Sequence, residues 1–142
     1  MSADLAFIHA HKEALLARAQ DARAVSYAPY RHVCTVCAER AAIAKQQTEM
    51  AARTKRILAV AVASDYGGPC TPCGICRQVL REFCALHVPV LMPSSIWEPH
   101  SPRDVAPRTV DDLAEEDMLV TTLEHLLPYS FGPEALSTTG AK

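Results

Sequence analysis

Nowhere does the sequence reach the roughly 18 consecutive apolar residues that a bilayer-crossing helix needs. Nor does Met1 to Lys12 set a long apolar run behind positive charge, so neither a membrane span nor a signal peptide is expected. Lys and Arg are gathered into no patch, and the formal net charge is -2 with a pI near 6.3. A polynucleotide has no basic track to follow on such a chain, whereas a neutral small molecule fits it. Internal repeats and low-complexity blocks are absent too, which leaves no sign of a repeat array. What is present is 142 residues, 49% of them hydrophobic, enough for a real core in one compact domain. That domain is expected over 1–136, with a small polar tail at 137–142 and a cytoplasmic location.

Six cysteines in a chain of this size can signal a disulfide framework. In a reducing compartment, clustered Cys-x-x-Cys spacing points to metal instead.

Taken in order, Asp4 to Arg23 carries Leu5, Ile8, Leu15, Leu16 and Ala19 at helical spacing, with Ser2 or Asp4 to cap the start. Ser26-Tyr27-Ala28-Pro29-Tyr30 breaks that pattern at a turn, and Arg31 to Val36 is short and irregular. A second helix is expected from Cys37 to about Met50. Arg56 to Ser64 is apolar and rich in β-branched residues, hence a buried strand. Asp65 to Thr71 reads as a loop. Cys73 to Phe83 reads as a third helix, with Val79, Leu80 and Phe83 on its packing side. Val88 to Met92 is a second strand, and the proline-rich stretch from Pro93 to Pro107 is a surface loop. Met118 to Thr121 is a weak third strand, followed by a short helix over Thr122 to Leu127. Helices alternating with buried strands argue for an α/β fold, a three-layer α/β/α sandwich.

Two stretches organise the chemistry: Pro72-Cys73-Gly74-Ile75-Cys76-Arg77-Gln78 and Cys37-Ala38-Glu39-Arg40. If Pro72 opens a helix, Cys73 and Cys76 share one face of its first turn. Cys37 offers a third thiol. Three protein ligands leave the fourth tetrahedral position of a zinc ion open for water, which is the arrangement of a catalytic centre. Cys34 allows a competing reading, because Cys34-x-x-Cys37 with Cys73-x-x-Cys76 formally makes a closed four-thiolate site. Against it, the 35 residues between the pairs exceed the usual gap of about 15 to 20. Cys34 would also lie outside the helix that Cys37 begins, and a structural site gives no reason for Glu39. Cys70 and Cys84 read as a loop thiol and a small core residue.

Glu39 follows Cys37 by two residues, a step that turns a helical side chain about 200° away. It reaches a metal-bound water only if Cys37 stands at the very start of the helix and that end faces the metal; otherwise it serves the helix dipole. Three thiolates around Zn²⁺ leave a net charge of -1. Arg40 and Arg77 are candidates to donate to sulfur and withdraw that charge, with solvated surface positions as the plain alternative. Cys-x-Glu followed by Pro-Cys-x-x-Cys is the signature of zinc deaminases.

With these motifs the sequence resembles the small, homotetrameric cytidine deaminases. The likeness rests on Tyr27-Ala28-Pro29-Tyr30, Cys37-Ala38-Glu39-Arg40-Ala41-Ala42-Ile43, Pro72 to Phe83, and Leu126-Leu127-Pro128-Tyr129-Ser130-Phe131-Gly132-Pro133. It implies that Cys37, Cys73 and Cys76 hold one zinc ion and that Glu39 shuttles protons. It further implies that Ala38 lends backbone groups to the base, that Arg40 neutralises thiolate charge, and that Phe131 reaches into a neighbouring subunit's pocket. The implied reaction is deamination of cytidine or deoxycytidine to the uridine product and ammonia, in pyrimidine salvage. The sequence departs from the family between Tyr30 and Cys37, where a β-hairpin and a ribose-gripping Asn-x-Glu segment are missing. Two strands fewer and impaired turnover are therefore expected. Two alternatives stand beside the enzyme: a non-catalytic zinc-stabilised subunit that modulates full-length homologues, and a blasticidin-type nucleoside deaminase.

Overall fold

The computed structural model describes residues 2–24, 37–48, 56–98 and 107–137. The expected turn at Ser26 to Tyr30, the Arg31 to Val36 piece with Cys34, Met50 and residues 138–142 of the tail lie outside them. Helix α1 (Ser2–Ala24) contains neither proline nor glycine, and Asp4 sits in its first turn where the helix dipole favours an anion. Its buried face is set by Leu5, Ile8, Lys12 and Leu16, steps of three and four residues that form one stripe. Leu15 and Ala19, expected in that stripe, are only half-buried at its margin.

Lys12 fills the middle of an otherwise apolar seam. Its ammonium pairs with the Glu115 carboxylate, and the Trp97 indole N–H donates to Glu115 Oε2 at 3.2 Å. Gln20 Nε2 donates to the Trp97 carbonyl at 3.0 Å, so α1 grips the Trp97 segment at two points.

The remaining elements are α2 (Ala38–Thr48), β1 (Val60–Ala61), α3 (Gly74–Phe83), β2 (Pro89–Pro93), a 3₁₀ turn (Asp111–Leu113), β3 (Met118–Thr122), α4 (Leu123–Leu126) and α5 (Pro133–Ser137). Among the described residues the sheet has three strands in the order β1-β2-β3. β1 runs parallel to β2, with Val60 opposite Val90, and β2 runs antiparallel to β3, with Leu91 opposite Val120. All five residues of β2 are buried, as befits a central strand covered on both faces. β3 alternates, with Met118 and Val120 buried and Leu119 44% exposed between them.

Helices cover both faces, giving the three layers. On one, Leu5, Ile8 and Leu16 of α1 pack with Leu91, Trp97, Leu113, Met118 and Val120. On the other, Ile43 of α2 and Leu80 of α3 pack with Cys84, Val88 and Leu123. Each fully buried leucine contributes roughly 1.5–3 kcal/mol. None of the described helices is long and apolar enough to cross a membrane.

Two expectations are corrected. The apolar run Arg56 to Ser64 forms a ladder only at Val60–Ala61, and Ile57 to Ser64 is half-buried rather than buried. A ladder extends only where a partner strand runs alongside, and among the described residues β1 has one partner, β2. Phe83, expected on the packing side of α3, is 37% exposed, while Arg81 is 5% exposed. The buried stripe of α3 runs Cys76, Leu80, Cys84, one turn apart each time, and Phe83 falls beside it.

Candidate metal centre

Two helix starts converge on the three cysteines. Cys37 immediately precedes α2, and its carbonyl accepts the first intrahelical bond, from Ala41 N–H at 3.1 Å. Cys73 caps α3 with extended backbone (φ -65°, ψ 163°), and its Sγ accepts the Cys76 N–H at 3.4 Å. Pro72 therefore stands just outside the helix, and the thiol takes the place that a serine hydroxyl or aspartate oxygen fills in other caps. Cys76 lies one turn further on and is buried. Both helix N-termini thus direct their dipoles at the sulfurs, which favours thiolate.

The spacing suits a metal. Cys37 Sγ lies 3.9 Å from Cys73 Sγ, and Cys73 Sγ lies 3.4 Å from Cys76 Sγ. The three sulfurs fall within 4.8 Å of one another. A tetrahedral zinc with Zn–S bonds of about 2.3 Å sets its sulfurs about 3.8 Å apart, so this donor set fits that ion without large movement.

Charge around the sulfurs is unevenly distributed. The Cys73 thiol is held below its ordinary value, chiefly by the Cys76 backbone N–H. Cys76 is pushed well above it, first by burial, then by the Cys73 thiol and by the negative charge of Glu39. Glu39 is therefore near enough to feel the cluster, and it stands in the first turn of α2. This meets the condition set by the two-residue step: Cys37 is at the helix start, and that end faces the sulfurs. Arg40 Nη2 lies 3.8 Å from Cys37 Sγ, and the guanidinium is held more firmly protonated by Cys37, with Cys76 adding to it.

Arg77 does something other than expected. Its Nε donates to the Pro72 carbonyl at 2.7 Å, Nη1 to the Leu126 carbonyl at 2.9 Å and Nη2 to Thr71 Oγ1 at 2.9 Å. It braces the loop that presents Cys73 and donates to no sulfur among the described contacts. Ala38 is exposed at the start of α2. Phe131 is 70% exposed, and its carbonyl accepts from Gln78 Nε2 at 3.4 Å. Cys70 lies half-buried in the loop, and burial pushes the Cys84 thiol up to about 11, as suits an unreactive core position.

Arg81 and Glu134 went unremarked in the sequence. They form an ion pair between α3 and α5, and Gly132 packs against the guanidinium. The one signal was a second arginine a helical turn after Arg77.

No protein-family model matches the chain. A cytidine deaminase from Sporosarcina psychrophila is 30% identical over 150 aligned positions, which take in 88% of this chain and 94% of that protein. The chain belongs to the cytidine deaminase family. A second cytidine deaminase, from Halalkalibacterium halodurans, is 44% identical over 50 residues, or 35% of this chain and 36% of that protein. The crystal structure of cytidine deaminase from Burkholderia pseudomallei superposes with a TM-score of 0.58 at 25% identity, covering 83% of this chain and 97% of that one. In the Sporosarcina alignment, 88% of 142 residues is about 125, so about 25 of the 150 positions have no counterpart in this cytidine deaminase homologue.

Proposed function

We propose that this chain catalyses hydrolytic deamination of cytidine or deoxycytidine to the uridine product and ammonia. The observation that carries this reading is the triad of sulfurs at zinc spacing with Glu39 on the adjoining helix turn. Cys37, Cys73 and Cys76 would hold one Zn²⁺, which when bound would supply a water acidified toward neutral pH as the nucleophile. Glu39 accepts that water's proton and gives it to ring N3, so that C4 becomes electrophilic. Hydroxide adds to C4, and Glu39 takes the proton of the new C4 hydroxyl and passes it to the amine, so that the C4–N bond breaks, ammonia leaves and the uridine C4 carbonyl forms. Arg40 offsets thiolate charge through its bond to Cys37, and Ala38 offers backbone groups to the base. Arg77 serves by holding the Cys73 loop in place.

The chain works as a homotetramer, with Phe131 packing near the base bound by a neighbouring subunit. An exposed ring on an anchored loop supports that placement. The setting is pyrimidine salvage in the cytoplasm, where free thiols stay reduced. The short piece from Arg31 to Val36 stands where the family carries the hairpin and its ribose-gripping Asn-x-Glu segment, and we read both as lost. The sugar is therefore held less firmly and KM is raised.

The test is the fall in cytidine absorbance on conversion to uridine, using zinc-loaded protein beside a variant with the hairpin restored. Turnover in the present chain, with a lower KM in the restored one, supports the reading. One zinc per chain with no turnover in either form would refute it.

A further inference from the structure

Along one flank of the helix that carries Cys73 and Cys76, three side chains each hold one point of the C-terminal segment. Arg77 Nη1 holds the Leu126 carbonyl and Gln78 Nε2 holds the Phe131 carbonyl. Arg81 pairs with the Glu134 carboxylate, its side chain 6% exposed against 64% for Glu134. Gly132 lies so close to this guanidinium that a Cβ there would overlap it. Between these anchors Tyr129 has φ of 56°, in the left-handed region that a bulky L-residue rarely adopts. Such a conformation persists where its surroundings over-determine it. Yet the rings of Tyr129 and Phe131 are exposed. The loop's shape is enforced from beneath while the rings it carries make no demand for that shape within the protomer.

We propose that Arg81 is a positioning residue. It fixes residues 128–134 to the metal-bearing helix, so that Phe131 is presented at a set angle to the nucleoside. This rests on the reading above that Phe131 packs near the bound base. Arg81 touches no reacting atom; it acts through Glu134 and the backbone at Gly132. Its burial makes the pair unlike an exposed salt bridge, because loss of the carboxylate strands a cation in a desolvated place.

The test uses the zinc-loaded full chain and the variants Arg81→Gln, Arg81→Lys, Glu134→Gln and Phe131→Ala. Hydrogen exchange is followed over 128–134, and affinity for uridine, the stable product, is measured by calorimetry. Arg81→Gln and Glu134→Gln should speed exchange in that segment about tenfold, since local opening governs the rate. They should weaken uridine binding about tenfold through misplacement of Phe131, with zinc content and exchange in α1 unchanged. Arg81→Lys should keep affinity within about threefold of the parent. Glu134→Gln, at an exposed position, carries the test if Arg81→Gln does not fold. Unchanged exchange in 128–134 overturns the proposal. So does normal uridine affinity in Arg81→Gln when Phe131→Ala binds weakly. Normal affinity in Phe131→Ala itself would instead refute the placement of Phe131 at the base, and the exchange result then stands as the measure of Arg81.

Discussion

The two faces of the sheet are built for different ends. On the α1 face the sides of a long helix close over Leu91, Met118 and Val120, and even the charge is packed away, with Lys12 and Glu115 buried against Trp97. On the opposite face α2 contributes a single buried residue, Ile43, and α3 opens on an exposed Cys73. There the helices pack a side against the sheet through Ile43, Leu80 and Cys84 and also turn their N-terminal ends to the sulfurs. An end offers unpaired N–H groups and a positive dipole, which suit thiolates and a carboxylate; a side offers an apolar stripe, which suits a core. The contrast teaches that one face serves folding alone, while the other combines a smaller core with the site of chemistry.

The largest expected effect belongs to the chemical face. Glu39→Gln should lower cytidine turnover by about 10²- to 10⁴-fold, the usual worth of positioned proton transfer. Metal analysis and thermal melting should show zinc content and stability unchanged. Lys12→Ala inverts the pattern. It leaves the Glu115 carboxylate buried without that ammonium, which should cost about 3–5 kcal/mol in urea unfolding. Zinc stoichiometry of the folded fraction should be unaltered, and a loss of metal would break the division between faces.

A smaller effect ties the metal to pH. Burial keeps the Cys76 thiol protonated at neutral pH, and the ligand must be thiolate, so zinc uptake releases its proton. Affinity should therefore rise with pH across the neutral range, by up to about tenfold per unit for each proton released. Competition with a chelator at several pH values measures this. The smallest effect lies on the structural side. The Asp112 carboxyl is held below its ordinary value by the backbone N–H groups of Thr109 and Arg108. Its contribution is present above the ordinary aspartate value and is lost as pH falls through the lowered one. Asp112→Asn should lower the melting temperature slightly at neutral pH, with the gap closing in strong acid.

The chemical face was the more legible of the two in sequence, and for a physical reason. Within each motif a spacing of two or three residues encodes the placement directly, Cys73 with Cys76 and Cys37 with Glu39, although Cys37 and Cys73 meet across 36 residues of chain. The alternation of helices and apolar runs likewise indicated three layers. What could not be read depends on partners far along the chain. Arg77 turns to the Leu126 carbonyl, 49 residues away, instead of to sulfur, and Arg81 pairs with a carboxylate 53 residues away. The strand at Val60–Ala61 is short because a ladder needs a neighbour, which no single segment specifies. Lys12 stands in an apolar stripe because its partner Glu115 lies 103 residues further along the chain.

The central claim is that three sulfurs hold the metal and leave one position for water. Substituting cobalt for zinc and recording the visible and near-infrared spectrum addresses it directly. Bands for three thiolates and one oxygen donor, shifting when a nucleoside binds, are predicted. A four-sulfur spectrum indifferent to nucleoside would contradict it.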